Sequence, residues 1–312
     1  MPWFESKSRK RTDKIQQQVI ETAPQNVPVL SGDENATTPV EGISLGKFAR
    51  LQPFSPVALS LLQLFERNDV GVKENADLIR SDATLAAETL AFANSPLFAV
   101  RESITDLQQA VSVLGVDNIK SLATTLAMRS MMQNSPRPGE VRRLWRHSIA
   151  TAVIASELAP IFGVAADLAN TAGVLHDVGR MGLLAAYRDR YVELVLKQYE
   201  NVDAVLQAER ELSALDHCDL GLILSKDWRL PEVFQEVAAK HHKSGQDGIV
   251  GLIHSACALA DDMNFAAVSH RSILPLKDRV SACVSEDLCD QVTHRLSIAE
   301  QRILDRVNAL DY

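Results

Sequence analysis

The chain has 312 residues, a hydrophobic share of 46% and a formal net charge of −8. This composition supports a sizeable buried core and argues against a chain that binds nucleic acid through its overall charge. Its four cysteines, Cys218, Cys257, Cys283 and Cys289, form no CxxC pair, and no apolar run reaches the ~18 residues of a membrane span, so the expectation is a cytoplasmic protein with neither membrane nor nucleic acid as a partner.

Residues 1–45 read as a disordered tail. SKSRKR is basic, and the following stretch is polar, with Pro, Gly, Asn and Thr scattered through it. It holds too few apolar residues to build a core. SKSRKR would suit an anionic surface, although a solvated tail is the simpler reading. The opening MPWFESKSRKRTDK has no apolar signal core.

From 46 to 135 the pattern becomes helical. PVALSLLQLFERN, ENADLIRSD, ATLAAETLAFANS, LQQAVSVLG and IKSLATTLAMRSMM all carry apolar residues at helical spacing. Asp82 or Ser81 can cap the helix that starts near Ala83, and Thr105 the next one. QNSPRPGE, 133–140, holds two prolines and a glycine and marks an internal boundary.

A second helical half follows over 136–270. GEVRRLWRHSIATAVIASELAPIFG reads as one helix and AADLANTAGVLHDVGRMGLLAAY as the next. NVDAVLQAERELSA, DHCDLGLILSKDW, PEVFQEVAAKHH and IVGLIHSACALADDM complete it, with Pro231 at a helix start. Residues 271–312 form a C-terminal helical extension. Its heptad-like Leu288, Val292, Leu296, Ala299 and Ile303 suit packing on the body of the chain or, alternatively, on a second copy in a homodimer. No alternating strand pattern occurs, so the fold class is all-α: a multi-helix bundle with an N-terminal helical subdomain.

Six of the eight histidines, His147, His176, His217, His241, His242 and His254, fall in the second half beside Asp177, Asp261 and Asp262. Imidazole nitrogen and carboxylate oxygen together suit divalent ions such as Zn, Fe or Mn, and bundle cores can host such a site from several helices. On one helix His176 and Asp177 would point about 100° apart, yet both can reach an ion over the seam between them. Asp177, with two oxygens, could bridge two ions.

HSIATAVIA, GVLHDVGR, DHCDLG, KHH and ALADD resemble the motifs of the HD superfamily of metal-dependent phosphohydrolases. The upstream helical half, with ANSPLF and AVSVLG, resembles more narrowly its HDOD branch of HD-related output domains, over residues 47–265. The resemblance implies an HD-like helical bundle and a signalling output role. His147, His176, Asp177 and Asp261 match one ion's ligands; Asp177 as bridge with His217, His241 and His242 matches a second ion's. One or two divalent ions (Fe, Mn, Zn or Mg) are thereby implied. Two positions depart from the branch that cleaves cyclic di-GMP: Arg180 stands where its HDxGK motif has Lys, and KSGQDG follows the paired histidines with no GYP.

Plainer readings exist for each of these residues. His176–Asp177 could pin two helices by hydrogen bonds, and the histidines could form a metal-free polar network. His254, Cys257 and Asp261 share one helix face as i, i+3 and i+7, a pattern that could make a softer metal site; a buried cysteine is more often a small apolar residue, so only Asp261 is assigned to the centre. His254 reads as a satisfied core histidine, Asp262, His270 and His294 as surface, and Trp145 and Trp228 as core. Arg142, Arg143, Arg146, Arg180 and Lys240 could hold a phosphorylated ligand, or simply form a basic face. The expected function is bacterial signal transduction through a signalling protein partner or a small phosphorylated ligand. The alternative is a metal-dependent phosphohydrolase acting on a nucleotide or cyclic nucleotide, with Asp177 and Arg180 as its catalytic residues.

Overall fold

A computed structural model of the chain describes residues 56–63, 71–94, 100–132, 138–268 and 284–310, with isolated positions between them. The expected tail (1–45), most of the 133–140 boundary, His270 and Cys283 lie outside the described residues. Among the described residues the architecture is all-α, with no strand.

The N-terminal half comprises α1 (Pro56–Gln63), α2 (Val72–Arg80), α3 (Ala83–Ala93), α4 (Leu107–Leu114) and α5 (Val116–Met132). Local chemistry sets the helix starts. The Asp82 carboxylate accepts hydrogen bonds from the Thr84 and Leu85 amides, each at 3.0 Å, satisfying donors that the first helical turn leaves open. At α4 the cap is Asp106 rather than Thr105: its carboxylate lies 2.9 Å from the Gln109 amide, the N3 position that a capping oxygen reaches. Asn94 then clamps the intervening loop, donating to the Ile104 carbonyl at 2.8 Å and accepting from the Ile104 amide at 2.7 Å.

The second half comprises α6 (Pro138–Leu158), α7 (Ala166–Leu175), α8 (Val178–Leu196), α9 (Val202–Ser213), α10 (His217–Asp227), α11 (Glu232–Lys240) and α12 (Gly248–Ala260), followed by a π turn (Asp261–Phe265) and α13 (Cys289–Leu310). Helix α6 is the hub, packed against α7, α12 and α13. Helix α7 also lies against α5 and so joins the two halves. Trp145 and Trp228 are buried in the core.

The single helix expected across GVLHDVGR is instead two helices. Helix α7 ends at Leu175 and α8 begins at Val178; Asp177, at φ −97° and ψ 19°, turns the chain between them. The turn brings α8 hard against α10. A Cβ on Gly179 would lie 1.8 Å from the His217 carbonyl oxygen and 2.7 Å from the Gly221 amide nitrogen. Only a residue without a side chain fits there.

Helix α13 settles where its seam goes. Val292, Leu296, Ala299 and Ile303 are buried at 2% exposure or less, against the body of the same chain. Glu157 on α6 fixes the contact, accepting two hydrogen bonds from Arg302 at 3.0 Å each and facing Arg295 at 3.0 Å.

Gly179→Ala forces backbone against backbone, so its cost falls at or above the ~3 kcal/mol upper end of ordinary overpacking. At about 2–4 °C per kcal/mol for a chain of this size, calorimetry should show the melting temperature fall by roughly 6–12 °C. Gly139→Ala, whose Cβ would meet nothing within 4 Å, should leave it unchanged.

Candidate metal centre

Six donor side chains from separate parts of the chain meet between α6, α8, α10 and α11. His147 comes from the middle of α6. His176 and Asp177 form the α7–α8 turn, His217 opens α10, and His241 and His242 follow the last turn of α11. A reciprocal capping box between Asp216 and Asp219 fixes the start of α10 and hence the position of His217. His147, His176, Asp177, His217 and His241 are at most 2% exposed, while His242 is half-buried.

The orientation of each ring follows from its neighbours. The Nδ1 atom of His176 lies 2.7 Å from the Gly173 carbonyl oxygen, that of His147 3.1 Å from the Phe265 carbonyl, and that of His241 3.1 and 3.2 Å from the Val237 and Ala238 carbonyls. His217 Nδ1 lies 2.6 Å from a Glu209 carboxylate oxygen. All these partners are acceptors, so in the neutral rings Nδ1 carries the proton and Nε2 is left with a lone pair.

The Nε2 atoms face one another. The Nε2 atoms of His147 and His176 are 3.2 Å apart, those of His217 and His241 3.3 Å, and those of His242 and His217 3.0 Å. Asp177 lies between the two sets. Its Oδ1 is 3.3 and 3.4 Å from the Nε2 atoms of His217 and His241, and its Oδ2 is 3.6 and 3.7 Å from those of His147 and His176. Oδ1 is buried and accepts no hydrogen bond. Around a tetrahedral ion with bonds of about 2.0–2.1 Å, donor atoms stand roughly 3.3 Å apart, close to these separations. Buried lone pairs aimed at each other, with an unbonded carboxylate oxygen among them, fit a divalent cation.

Electrostatics agree with that fit. Burial first of all pushes His176 down to about 3, and it pushes His241 and His242 down as well, so these imidazoles are neutral ligands. Burial works against the Asp177 carboxylate, yet Arg180 foremost, with His176, His217 and His241, holds it well below its ordinary value. His217 is the exception. Burial and Arg180 resist a proton there, but Glu209 and Asp177 help to hold its pKa well above the usual one. The position thus calls for a positive charge, which a bound ion would supply.

Beneath the donors lies a layer that the sequence did not reveal. Glu209, on α9, is fully buried. It takes the His217 ring and backbone N–H groups on one oxygen, at 2.6 and 2.9 Å, and Arg180 and the Tyr191 hydroxyl on the other, at 2.8 and 2.9 Å. Its pKa falls to about 2: burial opposes ionisation, and His217 and Arg180 overcome it. QAERELS looks like a solvated helix, and only the register of its buried Val205, Leu206 and Glu209 hints otherwise.

Two sequence expectations change. Arg180 is no part of a basic face; it is 4% exposed, and its guanidinium donates to Asp177 Oδ2 and Glu209 at 2.8 Å each. Asp261 does not stand among the Nε2 atoms. Its Oδ1 is 3.2 Å from His147 Nδ1, on the far edge of that ring. Nearby, Cys257 Sγ is 3.5 Å from His147 Nε2, and His254 is satisfied by the His241 carbonyl at 2.9 Å. His294 is exposed, as expected.

The HDOD domain family model matches residues 51–244. An HDOD domain protein of unknown function from Geobacter sulfurreducens is similar in structure, with TM-score 0.68, 22% identity, and 97% of this chain and 98% of that one covered. A provisionally named phosphohydrolase from Shewanella amazonensis SB2B is similar at TM-score 0.64 and 19% identity, covering 85% of this chain and 97% of its own. An uncharacterized protein of Treponema pallidum (strain Nichols) is 25% identical over 186 residues, 59% of this chain and 36% of that protein. The chain therefore spans about a third of that relative's length.

Glu209→Gln removes the acceptor that aligns His217. Competition with a chromogenic chelator should show divalent-ion affinity fall by about 10- to 100-fold, as for other partners behind a metal-bound histidine. Tyr191→Phe deletes one hydroxyl and should cost less. Equal affinity in Glu209→Gln and the parent protein would show that the carboxylate does not position the ligand.

Proposed function

The chain belongs to the HDOD domain family, and we propose that it is a signal-transduction module that holds one or two divalent ions and acts by binding rather than by turnover. His147, His176, Asp177, His217, His241 and His242 are the proposed donors. The output goes to a signalling protein partner or a small phosphorylated ligand.

One observation carries this reading. Five of the six donors are buried in the core and the sixth, His242, is half-buried, while the nearest buried cation, Arg180, is held by Asp177 and Glu209. Hydrolysis of a phosphoester requires an open coordination position and a group to cradle phosphate. A buried ion instead ties α6, α8, α10 and α11 together, so its binding energy is folding energy for this half. No helix of the described residues is long and apolar enough to cross a membrane.

The second reading, a metal-dependent phosphohydrolase acting on a nucleotide or cyclic nucleotide, is favoured by a different feature. The two Asp177 oxygens each face a separate set of imidazoles, the arrangement of a bridged ion pair. Bound ions would supply the electrophilic charge, Asp177 would help to hold them, and half-buried His242 is the donor nearest to solvent.

The full chain purified without chelator should carry near-stoichiometric divalent metal by elemental analysis, and Asp177→Ala should carry none. With added Mn²⁺ it should not cleave bis(p-nitrophenyl) phosphate or a panel of cyclic nucleotides. Turnover that disappears in His176→Ala would put the hydrolase first. A parent protein that binds no metal would leave the histidines as a polar network and end both readings.

A further inference from the structure

The His147 side of the centre has three evident donors, and its fourth is not where the motif resemblance implies. His147 Nε2, His176 Nε2 and Asp177 Oδ2 form a triangle with sides of 3.2, 3.6 and 3.7 Å. The resemblance assigns the remaining place to Asp261. That carboxylate approaches His147 at Nδ1, the ring atom that also faces the Phe265 carbonyl. Nδ1 and Nε2 sit on opposite edges of the imidazole, so an ion on the Nε2 side has the whole ring between itself and Asp261.

One turn earlier on α12, Cys257 faces the correct edge. Its sulfur is 3.5 Å from His147 Nε2, and the sulfur and the donor nitrogens of His147 and His176 all lie within 4.8 Å of one another. With a zinc–sulfur bond of about 2.3 Å and a zinc–nitrogen bond of about 2.05 Å, tetrahedral geometry separates S and N by roughly 3.6 Å. Cys257 is buried, and so are both histidines and Asp177.

Resting on the proposal that this centre retains metal, we propose that the Cys257 thiolate is the fourth protein donor to the ion held by His147, His176 and Asp177. Asp261 stands behind the ring, its Oδ1 3.2 Å from His147 Nδ1, where its charge favours the Nδ1–H that the Phe265 carbonyl accepts. In the metal-free protein the thiol keeps its proton and points it at the His147 lone pair. Coordination releases that proton to solvent and replaces the S–H with a sulfur–metal bond. A thiolate beside two imidazoles selects Zn²⁺, Co²⁺ or Fe²⁺ over Mg²⁺. Four protein donors also close the coordination sphere, as structural sites do and catalytic ones do not.

Cobalt tests this directly, because a thiolate bound to Co²⁺ gives a near-ultraviolet charge-transfer band in addition to the visible bands of a tetrahedral ion. The full chain loaded with Co²⁺ should show both. Cys257→Ser should lose the charge-transfer band, and Cys257→Ala should do the same if the serine variant folds poorly. Cys218→Ser should keep the band; its sulfur groups with His217, His241 and His242 on the other side. Asp261→Asn should keep it too, with weaker binding. Visible bands without charge transfer in the parent protein, or a band lost in Cys218→Ser and kept in Cys257→Ser, would overturn the assignment while leaving a metal centre in place. A parent chain that takes up no Co²⁺ would overturn this assignment and the metal centre together.

Discussion

Everything in the centre depends on where four ring protons sit. Four backbone carbonyls and one carboxylate take the Nδ1 atoms of His176, His147, His241 and His217, and each of these contacts is short enough to fix the ring. A neutral imidazole has one N–H and one lone pair, so fixing Nδ1–H fixes the lone pair on Nε2. The helices then aim those lone pairs at one another, at separations where two acceptors repel. A buried acceptor without a donor is costly, and here several share one small volume. Such a core is consistent only if something positive sits among them. A single proton on His217 meets part of that need, and a divalent ion meets all of it.

The layer behind the histidines explains why the arrangement holds. Glu209 and Asp177 bring two carboxylates into the core, while Arg180 spans both and Tyr191 closes the ring. A buried ionic network of this kind contributes little net stability, because desolvation offsets most of the attraction. Its value is geometric. His217 cannot rotate without breaking a 2.6 Å contact to Glu209, and Glu209 cannot move without taking from the buried guanidinium one of its two carboxylate partners. Arg180 therefore belongs to the scaffold of the site. A planar guanidinium, unlike the flexible point charge of a lysine, can hold two carboxylates at once.

The helical fold was legible because apolar residues at 3.6-residue spacing leave little alternative, and the histidine cluster because its residue types are rare in cores. The break at His176–Asp177 was not. Its flanks, AGVL and MGLLAA, both read as helix, and the cause of the turn is a tertiary one: α8 must cross α10 over Gly179. Glu209 was hidden for a related reason, since a glutamate in a charged helix looks solvated until its partners, 8 and 29 residues away, are folded against it. The face shared by His254, Cys257 and Asp261 was visible as a pattern. Which of the three faces the centre depends on the rotation of α12 against α6, and no local periodicity encodes that.

The N-terminal half contributes none of these donors, yet it touches the element that carries one. Helix α7 ends at His176, and its flank rests on α5, where Ser121 meets the Thr171 hydroxyl at 3.1 Å and the Asp167 carbonyl at 3.3 Å. On its other side α7 crosses α6 so closely that a Cβ on Gly173 would lie 2.4 Å from the Ala152 α-carbon. Backbones in such contact cannot slide by small amounts, because a packed interior resists continuous deformation. A displacement of His176 would therefore bear on α7 and, through its packing, on α5. The centre and the N-terminal half, whose described residues supply none of its donors, thus share one tightly packed element, helix α7.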